Sequence, residues 1–107
     1  MGATEMVTET RTRAREVATA FANKIGAMPV QRLSVMEDRD RIHMWLLTDE
    51  IDAERESQFY DVVASLCDEF PDDYIRLHII NPRTFPDERY RLSSVPQDAV
   101  NITIPQR

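Results

Sequence analysis

The chain has 107 residues, enough for one modest core and too few for a catalytic domain joined to a regulatory one. Leu, Ile, Val and Phe make up 26 of the 107 residues and the net charge is −6, a balance on the folded side of the disorder boundary. Two glycines exclude the Rossmann and P-loop phosphate cradles, and one cysteine beside two histidines excludes an internal disulfide and a zinc-finger ligand set.

No apolar run reaches the roughly 18 residues that span a bilayer, and the N-terminus lacks the basic, apolar and small-residue succession of a signal peptide. The expectation is a reduced, cytoplasmic protein with no membrane partner. It forms a single domain over residues 1–107, of which 82–107 is an extended C-terminal tail. The charge is uneven. Residues 37–73 hold 13 acidic and three basic groups, whereas 1–36 and 74–107 each hold five basic and three acidic groups. An acidic centre of this kind can steer a protein partner, although a solvated helix face and loop is the plainer account of it.

From Val7 to Ile25 the apolar residues Val7, Ala14, Val17, Ala18, Phe21, Ala22 and Ile25 fall at helical spacings, which predicts a first helix. Gly26 is placed for a left-handed C-terminal cap, with Pro29 shortly after. Arg13 points away from Arg11 and Arg15 on such a helix, so no basic stripe for nucleic acid results.

Val30 to Met36 and Arg41 to Thr48 alternate as strands, and Glu37 to Asp40 between them predicts a hairpin turn. Asp52 is the expected N-cap of a second helix whose apolar stripe is Phe59, Val62, Val63, Leu66 and Phe70. The acidic residues of its first turn complement the helix dipole, so no metal is needed to explain them. Cys67 falls at the margin of that stripe and reads as a small core hydrophobe. Pro71 ends the helix, and Tyr74 to Ile80 forms a third strand with Ile75, Leu77 and Ile79 on one side.

Pro82, Pro86, Pro96 and Pro105 preclude a long helix in the remainder. Val100, Ile102 and Ile104 alternate as a short edge strand, which would pair with the chain's own sheet or a partner's. The order helix, strand, strand, helix, strand describes an α+β two-layer sandwich, ferredoxin-like or split βαβ, with a right-handed crossover between the second and third strands.

The face of the sheet opposite the helices then displays His43, Trp45, Tyr74, Arg76 and His78 together with Met36, Leu47 and Ile80. It is too aromatic for solvent and too polar for an internal core, as expected of an interface. The acidic balance argues against nucleic acid there. His43 and His78 meet if their strands are neighbours, yet two imidazoles do not close a metal site. No catalytic set, metal ligand set or cofactor is expected.

Ile42, Trp45, Arg55, Tyr60, Phe70, Pro71 and Asn81 compose an Ile-x-x-Trp strand, an acidic turn, a helix with Arg then Tyr, a Phe-Pro and an Asn-Pro. In this the stretch Ile42 to Pro82 resembles a group of small uncharacterised bacterial α+β proteins. The resemblance implies a small α+β domain and carries over no catalytic residue. The sequence thus leads to a non-enzymatic interaction or accessory module, homodimeric through the open sheet face or the C-terminal tail. Two other readings stand beside it. One is a small-anion-binding or enzymatic domain using His43, Arg76 and His78, and the other is an acidic partner of a basic toxin or DNA-binding protein through residues 37–73.

Overall fold

A computed structural model describes residues 2–26 and 29–105, and the side chains from residue 13 onward within them. Val7 and Arg11, placed on the first helix by the sequence, have side chains outside the described set. The elements are α1 (Gly2–Ile25), β1 (Val30–Asp38), β2 (Arg41–Thr48), α2 (Ala53–Glu69), β3 (Tyr74–Ile80), α3 (Glu88–Ser93) and β4 (Val100–Ile102). They form an α+β two-layer sandwich in the helix-strand-strand-helix-strand order, consistent with the ferredoxin-like arrangement expected. The sheet order is β3-β2-β1-β4.

Local chemistry accounts for most boundaries. Gly26 takes φ +52° and its N–H donates to the Ala22 carbonyl, closing α1 with the left-handed cap that a residue without Cβ adopts freely. Arg39 and Asp40 both have positive φ, the signature of a two-residue type I′ turn, and this joins β1 to β2 antiparallel. Asp52 caps α2 by accepting from the Arg55 N–H at 2.8 Å. Parallel neighbours need a crossover of a dozen or more residues, which α2 supplies between β2 and β3.

The main core lies between the sheet and the two long helices. Val17, Ala18 and Phe21 of α1 and Phe59 and Leu66 of α2 meet Leu33, Val35, Ile42, Met44 and Leu46 of the central strands. Burying each large side chain contributes roughly 1.5 to 3 kcal/mol. Lys24 of α1 pairs with Glu69 of α2 at 3.2 Å, and Arg13 pairs with Asp73 at 2.9 Å, tying α1 to the entry of β3. Cys67 is exposed, which corrects the expectation of a core thiol. One residue beyond Leu66 turns the side chain by about 100°, off the buried stripe.

A second, smaller cluster forms on the opposite face from Trp45, Leu47 and Ile80, covered by Met36, Phe85, Val95 and Ala99. The segment after Asn81 therefore folds back over the sheet and carries α3, where the sequence predicted an extended tail. Asp87 caps this helix by accepting from the Arg89 N–H. The same segment supplies β4, which pairs antiparallel with β1, and Ser34 Oγ donates to Asn101 Oδ1 at 2.8 Å across that pair. The terminal strand completes the chain's own sheet.

Candidate interaction site

β2 and β3 run in parallel register with His43 beside Arg76 and Trp45 beside His78. Alternation puts all four side chains, with Tyr74, on the face opposite α1 and α2. The sequence expectation that these residues share one side therefore corresponds to a real cluster. His43, Trp45 and His78 stack as three nearly parallel rings, with centroids 5.2 to 5.7 Å apart. His43 Nδ1 lies 3.1 Å from His78 Nε2. Burial, then His43, then Arg76 hold the His78 pKa below the ordinary histidine value, so this ring is neutral at pH 7. Arg76 is exposed, and Arg41 lies over the exposed Tyr74 ring at 5.4 Å.

The face is less open than the sequence implies. Trp45 is only 9% exposed, because Phe85, Val95 and Ala99 of its own chain lie on it. Its first role is intramolecular, holding the folded-back tail. What stays accessible lies toward β3, a margin of the sheet.

A pocket of about 350 Å³ opens there. Four consecutive residues, Leu77 to Ile80, line it, with Tyr60 of α2 from one face and Trp45, Phe85, Tyr90 and Ser94 from the other. Consecutive strand residues point to alternate faces, so a pocket touching all four together with groups from both layers lies along the strand's free edge. Burial, then Glu56, push the Tyr60 hydroxyl pKa up, keeping a neutral phenol at the rim.

A third cluster closes the end of the crossover. Buried Asn81 accepts at Oδ1 from the Ile51 and Arg83 N–H groups and donates from Nδ2 to the Ile51 carbonyl and to Glu56 Oε2. Arg83 Nε also donates to the Ile51 carbonyl at 3.0 Å. The amide thus works as a clamp between the β2–α2 loop and the end of β3. Its polar capacity is spent within the chain.

Among the described residues no group of three or more His, Cys, Asp or Glu side chains is arranged to hold a metal ion. No described helix is long and apolar enough to cross a membrane. Phe85 and Tyr90 at the pocket are not among the site residues expected from sequence, and Tyr60 and Asn81 stand there only as motif residues. A signal for Tyr60 was present. Ser57, Tyr60, Ala64 and Cys67 recur at helical spacing as an uncharged stripe on an otherwise acidic helix. Comparison with protein-family models, curated proteins and solved structures returns no match.

Proposed function

We propose that this chain is a non-enzymatic interaction module that acts as an accessory subunit and associates with itself. The observation that carries this reading is the outer edge of β3. It is a seven-residue strand at the sheet margin, with no described strand on its outer side, and the exposed rings of Tyr60, Tyr74 and Tyr90 lie on or beside it. Natural sheets blunt such edges with charge, proline or a covering segment unless the edge is used. The opposite margin is β4, only three residues long, whereas β3 is longer and carries aromatic rings that interfaces favour.

The polar groups of the sheet's second face support a binding role over catalysis. His43 and His78 are engaged with each other, and Asn81 and Glu56 are engaged in the clamp. An anion at Arg76 would find two imidazoles that share a hydrogen bond, with His78 held neutral. The test is light scattering after size exclusion, expected to give a mass near twice 12.4 kDa. A monomer at all concentrations would overturn this reading.

A further inference from the structure

We propose that the β3 edge binds a second copy of this chain, antiparallel about a two-fold axis at Leu77, with the partner's Tyr74 seated in the pocket beside Ile80. This rests on the self-association proposed above and assigns the surface and register through which it occurs.

A two-fold contact presents the same patch twice, so the patch must complement itself. Antiparallel pairing centred on Leu77 satisfies this for the whole strand. Ile75 then lies beside the partner's Ile79, so the Ile75, Leu77 and Ile79 row under the helices continues into the second sheet. On the other face Arg76 lies beside the partner's His78. That imidazole is held neutral at pH 7 by its burial, and the pairing brings no like charges together.

The helix layer agrees. Glu69 meets Lys24 of α1, which marks one flank of α2. The opposite flank, about half a turn round, carries Ser57, Tyr60, Ala64 and Cys67, all exposed. Tyr60 lines the pocket at the β3 edge, so this flank faces the side where a second copy would add. Tyr60, Ala64 and Cys67 are its uncharged middle; Glu56, one turn before Tyr60, is engaged with Asn81, and Asp61 and Asp68 lie one turn either side of Ala64 toward solvent. Since α2 carries Glu56 at the Asn81 end of β3 and reaches Glu69 before β3 begins, Tyr60 and Ala64 lie close to the level of Leu77. An axis through Leu77 therefore brings Tyr60 and Ala64 of the two copies to the same level.

The pocket supplies the lock. Tyr74 is 57% exposed and lies on the same face as His78 and Ile80 by alternation. Pairing about Leu77 sets it opposite the partner's Ile80, at the mouth of a pocket of about 350 Å³ whose walls include Phe85 and Tyr90. Each copy fills the other's pocket. The strip is about 23 Å long for seven residues and one helix diameter, about 10 Å, above the sheet, which places the contact at the small end of specific interfaces. Contacts at that end of the range are characteristically weak and transient, so a dissociation constant on the order of micromolar is expected.

The experiment is a concentration series by light scattering on the wild-type chain and on Ala64→Glu, Tyr74→Ala and Gln58→Glu. Ala64→Glu puts like charges together at the axis, Tyr74→Ala empties the pocket, and Gln58→Glu adds the same charge on the flank toward α1. Expected are a wild-type dimer, a dissociation constant raised at least tenfold by each of the first two, and no change with the third. Ala64 is exposed on a helix, so its variant carries the test even if Tyr74→Ala unfolds, and circular dichroism checks both. A dimer that survives both substitutions overturns this surface while leaving self-association standing. A wild-type monomer up to about 100 μM, well above micromolar affinities, overturns both.

Discussion

His43 Nδ1 faces His78 Nε2 at 3.1 Å across two parallel strands, with the rings stacked 5.3 Å apart and 13° from parallel. One of these two nitrogens must donate and the other accept, so the contact is satisfied when one and only one of them carries a proton.

The pH dependence of stability follows from the burial of His78 and from its neighbours. The folded-state pKa of His78 is lowered by burial, by His43 and by Arg76, so the folded chain binds fewer protons than the unfolded one around this group. Stability from the neutral ring is fully present above the unfolded histidine value of about 6.5 and falls as pH drops below it toward the folded pKa. The Tm should decline from pH 7 toward pH 5, before most carboxylates protonate. His78→Phe keeps a stacking ring and removes the titration, and it should flatten that part of the profile. Identical declines in both proteins would remove His78 as the cause.

Trp45 holds the tail to the sheet. It is buried against Leu47 and Ile80 with Phe85 and Val95 above, so Trp45→Ala opens a cavity and releases the segment that carries α3. A loss of about 3 kcal/mol is expected, read by urea unfolding followed in the far ultraviolet. Proteolysis should then cut within 82–99 before any other segment. An unchanged midpoint would show that the tail is held elsewhere.

Asn81→Ala leaves the Ile51 N–H and carbonyl without their amide partner in a buried site, at a cost of roughly 2 to 4 kcal/mol. Asn81→Asp adds a second carboxylate beside Glu56 Oε2, now 2.7 Å away. The aspartate variant should therefore be the less stable at pH 7 and recover toward the alanine variant near pH 4. Chemical denaturation at the two pH values measures the crossover, and parallel curves would refute the clamp.

The β1–β2 turn holds two residues with positive φ, Arg39 and Asp40, where side chains with a Cβ are strained. Replacing them together by Asn-Gly, the pair that type I′ turns prefer, should stabilise the chain by about 1 kcal/mol. Thermal melts of the double variant check it, and a lowered Tm would contradict the turn type.

Much of this molecule follows from periodicity and punctuation alone. The helix ends at Gly26 and Asp52, the hairpin at Arg39 and Asp40, and the split of Ile42, Met44 and Leu46 from His43, Trp45 and Leu47 are local consequences of backbone preference and of the two-residue strand repeat. These need no knowledge of what lies across the sheet. Even the single face shared by His43, Trp45, Arg76 and His78 is written into alternation once the strands are placed.

Tertiary structure alone decided which edges and faces remain exposed. Strand order depends on loop closure and on which apolar rows can be covered together, and neither has a signature in a short window of sequence. Only the assembled sheet sets His43 at hydrogen-bonding distance from His78, gives the edge of β1 to β4, and leaves β3 as a free margin. Asn81 shows the same limit from the polar side. An Asn before a proline reads as a turn residue, and its role as a clamp appears only when the crossover brings Ile51 and Glu56 to it. Cys67 and Tyr60 each directly follow a buried residue of the same helix, Leu66 and Phe59, yet both are exposed. Their side chains lie on the flank where the sheet ends, and where the sheet ends is a property of the whole fold.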